Sequence, residues 1–192
     1  MGLRATLLNQ RWASLLDGLR DPLVLSAGVC GGLDPRLTSG SVVVPESVLS
    51  PSGERFNVTP SRHAAALSAG AGQGATGCLV TSRDIVSTPK EKSELRARSG
   101  AVAVDMESSL ILSAAAASGC ASLVVRGVSD DANQAVLPEL IALVTPEGRV
   151  RRARAVALAL TQPAAIPQAF ALQRCTRRAL KAVARLLATL IT

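Results

Sequence analysis

The 192-residue sequence has no Tyr, one Trp and two Phe, so aromatics make up 2% of the chain. Binding of single-stranded nucleic acid through stacked bases needs such rings, and their scarcity argues against it. Core volume must come instead from Val, Leu, Ile and Ala, within an apolar share of 48%. Histidine is equally scarce: His63 stands alone in a polar stretch after Pro60, and a surface position suits it better than a catalytic one. The four cysteines, Cys30, Cys78, Cys120 and Cys175, lie 48, 42 and 55 residues apart and form no CxxC pair. A zinc site of paired ligands is therefore not expected. Isolated thiols with mostly apolar neighbours read as reduced and buried, which favours a cytoplasmic protein. No unbroken apolar run reaches the ~20 residues of a membrane span. The segment 108–125 is interrupted by Gly119 and carries five serines, and 155–173 contains Pro163 and Pro167. The first ten residues hold one Arg and no apolar stretch of signal-peptide length.

Acidic residues are missing from one end. Residues 1–145 carry 12 Lys/Arg against 13 Asp/Glu, whereas 146–192 carry nine Lys/Arg against Glu147 alone. The sequence thus divides into a nearly neutral α/β domain over 1–148 and a basic helical extension over 149–192. In the extension, Leu172, Cys175, Ala179, Val183, Leu186, Leu187 and Leu190 recur at helical spacing, with Arg174, Arg177, Arg178, Lys181 and Arg185 mostly between them. Pro163 and Pro167 predict a break in this helix. Three uses fit its basic face: a solvated surface, an anionic membrane surface such as the inner face of the cell membrane, or nucleic acid. The last ranks lowest because no recognition module accompanies the charge.

What is present is an alternation of short apolar runs with polar or glycine-rich punctuation. Pro22–Ala27 predicts a strand running into Gly28-Val-Cys-Gly-Gly32, and Val42–Val44 a second strand after the Ser39-Gly40 turn. Leu79–Val86 predicts another, followed by a Pro89-led helix to about Arg98. Residues 64–77, rich in Ala, Gly and Ser, carry no decisive pattern. Ala101–Val104, a helix from Glu107 to Ser118 closed by Gly119, and Ala121–Val128 predict a βαβ unit with parallel strands. The fold expected is one α/β domain whose mixed, mostly parallel central sheet is flanked by helices.

Several of these runs end in chemically distinct segments: Gly28–Gly32, Asp105-Met-Glu107 and Ser129-Asp130. The carboxyl ends of parallel strands share one sheet edge, where ligands bind, so the three segments should converge. Each has an ordinary reading alone. The glycines suit a tight turn, Glu107 a helix N-terminal acid, and Asp130-Asp131 an N-cap. The glycine cluster leads into a strand rather than a helix, which argues against a dinucleotide-binding fold. Adjacent carboxylates at 130 and 131 disfavour each other's ionisation, so one could hold a proton and donate it to a leaving base.

With these residues in place, Ser26–Pro35 followed by Ser39–Val44, Val104-Asp-Met-Glu-Ser108 and Val124-Val-Arg-Gly-Val-Ser-Asp130 resemble three motifs of the nucleoside phosphorylase and nucleosidase superfamily, in order and spacing over about residues 22–135. Within it, Leu137-Pro-Glu-Leu140 and the Arg-rich tail make the chain most like the hopanoid-associated phosphorylases. The resemblance implies phosphorolytic cleavage of a purine N-glycosidic bond in an adenosyl-type nucleoside, with adenine release from a lipid-linked adenosylhopane as the narrower expectation. It implies Asp130 as the acid that protonates purine N7 and Ser129 as the residue that orients it. Met106 would pack on the ribose and Glu107 would accept its hydroxyls. Ile85 and Val86 would line the base pocket, and Gly28 and Gly31 would border phosphate or nucleophile. It implies no cofactor or metal, phosphate as co-substrate, and a homo-oligomer.

The sequence departs from the family pattern in two ways. Ser26 and Val29 stand where related phosphorylases carry an Arg and a Ser, and an N-terminal strand of the family precedes the point where this sequence starts. Three further readings therefore stay open: a hydrolytic nucleosidase of the methylthioadenosine/adenosylhomocysteine type, a truncated and catalytically impaired homologue acting as a binding module, and a generic α/β ligand-binding domain. Arg83-Asp84 fits either a base-pocket pair or a solvated turn.

Overall fold

The computed structural model describes Trp12, Leu16, residues 18–70 and 74–137, Thr161 and residues 165–191. Seven strands are formed: β1 (Leu23–Gly32), β2 (Val42–Val43), β3 (Ser47–Leu49), β4 (Arg55–Asn57), β5 (Cys78–Thr81), β6 (Ala103–Asp105) and β7 (Ala121–Asp130). The named helices are α1 (Pro60–Ala69), α2 (Pro89–Ser99), α3 (Ser108–Ala117) and α4 (Ala165–Ile191). The strands make one mixed sheet in the order β2-β7-β1-β6-β5-β3-β4. Its longest pair is the parallel β1–β7, in register from Leu23 opposite Ala121 to Cys30 opposite Val128. β3, β5 and β6 are also mutually parallel, whereas β2 and β4 pair antiparallel at the two edges.

β7 is buried along nearly its whole length, as expected of an apolar strand covered on both faces. On one side Val124 and Val128 pack with Cys30, Val43, Val48, Leu79 and Leu112. On the other, Leu123 and Val125 meet Val44 and Ala66, with Val183 and Leu186 of α4. A Cβ on Gly127 would lie 2.6 Å from the Ala179 carbonyl oxygen, so the bare glycine lets α4 lie directly on the strand. The C-terminal helix therefore contributes to the main core.

Four expectations change, the first being the strand over Leu79–Val86, which ends at Thr81 as β5. Gly28–Gly32 is not a loop after a strand but the second half of β1, with a bulge between Cys30 and Gly31. Backbone pairing with β7 holds these glycines extended, and the bulge turns Gly31 and Gly32 onto Val104 and Ala103 of β6 in antiparallel register. β6 and β7 do not form the predicted parallel βαβ pair: β1 lies between them, parallel to β7 and antiparallel to β6, so the two run in opposite directions. Pro167 sits inside the first turn of α4, where its missing N–H has no helical partner to lose. Leu137 is described, but the rest of Leu137–Leu140 and residues 149–160 of the basic extension lie outside the described residues. Among the described residues no helix is long and apolar enough to cross a membrane.

Candidate active site

α2 is placed by strong local signals. Thr88 accepts from the Glu91 backbone N–H while the Glu91 carboxylate accepts from the Thr88 N–H, a complete capping box, and Pro89 opens the helix. The backbone N–H groups of Thr88 and Ser87 hold the Glu91 carboxyl below its usual range. One turn into this helix, Lys92 turns inward and is fully buried. Its ammonium donates to Asp130 Oδ2 at 2.6 Å, to the Asp131 carbonyl at 2.6 Å and to the Gln134 carbonyl at 2.9 Å. Ser129 Oγ lies 2.6 Å from the other oxygen of Asp130, Oδ1, and 3.1 Å from the Cys30 carbonyl.

Asp130 borders a cavity of about 470 Å³, within the range of small-molecule sites. All eight site residues expected from the sequence line it. Gly28 and Gly31 come from β1, Ile85 and Val86 from the segment after β5, Met106 and Glu107 from the turn between β6 and α3, and Ser129 and Asp130 from the end of β7. Glu107 occupies the N-cap position of α3 but makes no side-chain cap bond, leaving its carboxylate to the cavity. Asp105 satisfies the helix instead, accepting from the Ser108 N–H at 3.1 Å. Asp84 also lines the cavity. His63 does not: its Nε2 sits 2.9 Å from the Val44 carbonyl. Asp131 turns away and accepts from the Asn133 N–H, a local turn contact.

A second charged pair adjoins the first. Arg126 of β7 is 5% exposed and bonds Asp105 Oδ2 at 2.9 Å, with Ser26 and Ser108 hydroxyls each at 2.8 Å. Thr81 completes the set by donating to Asp105 Oδ1 at 2.9 Å. Nε and one terminal nitrogen of Arg126 are thereby engaged, while the other, Nη1, stands against Gly28 so closely that any Cβ there would collide with it. A cationic group thus reaches the glycine face of the cavity from the neighbouring strand, and Ser26 steadies it. Cys30, also on the cavity wall, is the fully enclosed thiol of the four; burial pushes its pKa up, so it stays a thiol. The other three cysteines are only half-buried, contrary to expectation. Among the described residues no cluster of His, Cys, Asp and Glu has a metal-binding arrangement.

Comparison with known proteins places this architecture. The phosphorylase superfamily profile matches residues 13–164, and the chain belongs to that superfamily. The futalosine hydrolase of Helicobacter pylori superposes with a TM-score of 0.70 at 17% identity, covering 99% of this chain and 75% of that one. The 5'-methylthioadenosine/S-adenosylhomocysteine nucleosidase of Neisseria meningitidis, solved with methylthio-immucillin-A, gives 0.67 at 17% identity, covering 99% and 74%. The corresponding nucleosidase of Streptococcus pneumoniae, solved with 8-aminoadenine, gives 0.69 at 16% identity, covering 97% and 76%. At these identities the likeness is one of fold. No curated protein sequence matches the chain.

Proposed function

We propose that this protein cleaves the N-glycosidic bond of an adenosyl-type purine nucleoside, with phosphate as the acceptor. The observation that carries the reading is a single cavity bordered by the Asp130 carboxyl, the unbonded Glu107 carboxylate and the Arg126–Gly28 corner. Cleavage needs a proton on the base, so that it leaves neutral, and negative charge near the sugar as it becomes cationic. Asp130, held by Ser129, serves the first need by protonating N7. Glu107 serves the second while accepting ribose hydroxyls, with Met106 against the ribose and Ile85 and Val86 against the base. Gly28, Gly31 and the free edge of Arg126 receive the acceptor. A specific observation also favours water in that place: Asp105 already matches the Arg126 charge at 2.9 Å, which weakens the pull on a phosphate. An adenosylhopane-like, lipid-linked nucleoside is the finer form of the reading. Its support is Leu180 of α4, 47% exposed and part of the cavity wall, which offers an apolar surface to a long substituent.

The test is release of adenine from adenosine and methylthioadenosine, with and without phosphate. Cleavage only with phosphate is expected, and equal rates without it would establish hydrolysis. Asp130→Asn should lower the rate by about a thousandfold, in keeping with loss of a general acid. Saturable nucleoside binding with no release in the unaltered protein would leave a binding module and overturn the enzymatic reading.

A further inference from the structure

Lys92 lies outside every motif considered above, yet it is fully buried and its entire hydrogen-bonding capacity is directed at the end of β7. An ammonium has three N–H donors, and here three oxygens receive them: Asp130 Oδ2, the Asp131 carbonyl and the Gln134 carbonyl. Burying a lysine is costly unless it is paired and fully bonded. The charge is there for the end of β7 and the turn after it, since a carboxylate and two carbonyls are what the ammonium meets. The geometry matches a further requirement. A carboxyl group that must give up a proton in each cycle needs an environment that accepts it in both protonation states.

Resting on the proposed glycosidic cleavage, we infer that Lys92 is the positioning residue and proton reservoir for Asp130. Lys92 donates to Oδ2 and Ser129 donates to Oδ1. On reaction, one proton passes from Lys92 Nζ to the carboxylate and a carboxyl proton passes to the purine N7. The C1'–N9 bond breaks with its electron pair going to the base, and the acceptor bonds to C1'. The neutral Lys92 amine keeps two N–H donors, one for Asp130 Oδ2 and one for a carbonyl. A proton from the acceptor or from solvent then restores the ammonium. Ser129 serves either state of the acid, since its single hydroxyl proton can point to Oδ1 at 2.6 Å or to the Cys30 carbonyl at 3.1 Å. The other ionisable groups around this pair are Asp131 beside it, Asp105, Glu107 and Arg126 across the cavity, Asp84 from the segment after β5, and the Cys30 thiol on β1. On α2 itself, Glu91 is engaged by its capping box and Arg96 by Asp34. Of these groups, Lys92 is the one whose proton lies in direct contact with Asp130 Oδ2.

The experiment is the pH dependence of kcat and KM for adenine release from methylthioadenosine, in the unaltered protein and in Lys92→Met. A paired reservoir keeps the unaltered kcat level from about pH 5 to pH 8, because the proton delivered to the base is drawn from Lys92, in direct contact with Asp130, rather than from solvent. In Lys92→Met the acid must take its proton from solvent. Its kcat at about pH 7.5 should fall roughly a hundredfold with KM little changed, and recover more than tenfold at about pH 5. A purely structural lysine predicts equal loss at both pH values, and that result would overturn the inference. An unchanged kcat in the variant would do the same. Should Lys92→Met fail to fold, Lys92→Gln keeps N–H donors without the charge and must show the same acid recovery. The unaltered protein is decisive in any event: a kcat that drops about tenfold per pH unit above pH 5 means Asp130 acts alone. Absence of cleavage at every pH would sink the proposed function and the inference with it, whereas cleavage with the wrong pH profile sinks the inference only.

Discussion

A methyl group at Gly28 would occupy the place of the Arg126 guanidinium edge, so this glycine is required by a side chain from the next strand rather than by its own backbone angles. Arg126 cannot simply swing away, because Asp105, Ser26 and Ser108 hold it. Gly28→Ala is expected to lower kcat/KM for adenine release at least tenfold, about 1.4 kcal/mol of transition-state stabilisation, with an unchanged far-UV spectrum. An unaffected kcat/KM would remove Arg126 from the acceptor corner. At this scale the carboxylates were readable. Asp130 ends one apolar run and Glu107 follows another by three residues, and each took its meaning from the motif around it rather than from its own position. Arg126 is the lone charge within Val124–Val128, a signal that a buried partner must meet it. Lys92 gave no signal: on a helix reading Pro-Lys-Glu-Lys-Ser-Glu, nothing separates it from the exposed Lys90. Only the direction α2 takes against the sheet decides which lysine enters the core.

At the scale of elements, the docking of α4 on β7 depends on Gly127, whose missing side chain lets the Ala179 backbone approach. Gly127→Ala forces helix and strand apart and is expected to destabilise the fold by roughly 1–3 kcal/mol, as overpacking does. Its urea midpoint should fall at unchanged slope, and an unaltered midpoint would mean that α4 is held elsewhere. Elements with strong local chemistry were readable to within a residue or two. The start of α2 follows from Thr88, Pro89 and Glu91, and its end was expected at Arg98 and lies at Ser99. Those governed by long-range pairing were not. The glycine-rich half of β1 looks like a loop because its extended shape is imposed by nine residues of pairing with β7. α1, in the stretch around residues 64–77, has few large apolar residues, and its single buried position, Ala66, gains meaning only beneath α4.

Over the whole molecule, Asp34 joins the sheet to α2. Just past β1, its carboxylate accepts from Arg36 at 2.7 Å and is paired with Arg96 at 3.1 Å, while its backbone N–H bonds the Val102 carbonyl. The Arg36 hydrogen bonds, followed by those of Arg96, outweigh burial and hold the Asp34 carboxyl well below the usual range. A depressed folded-state pKa means stability that is present above the unfolded value and lost as pH falls. The fold should therefore lose stability below about pH 4, where the unfolded carboxyl begins to take up protons. Urea midpoints at about pH 6 and pH 3 measure this, and Asp34→Asn should be weaker at pH 6 and show a smaller difference. An equal pH response in the variant would assign the acid sensitivity to other carboxylates. Arg36 is 86% solvent-exposed, so salt will screen part of its share.

The global division into a neutral body and a basic end was plain from charge alone, but charge does not say where a helix rests. α4 rests on β7, with Val183 and Leu186 in the core and Leu180 in the cavity wall. Its outward residues, among them Arg174, Arg177, Lys181 and Phe170, are solvent-facing. A single rod thus serves as buttress on one flank and as chamber wall on another. Selection for a sturdier fold and selection for a different guest would act on the same 27 residues. Neither trait can drift far in that stretch without dragging the other along.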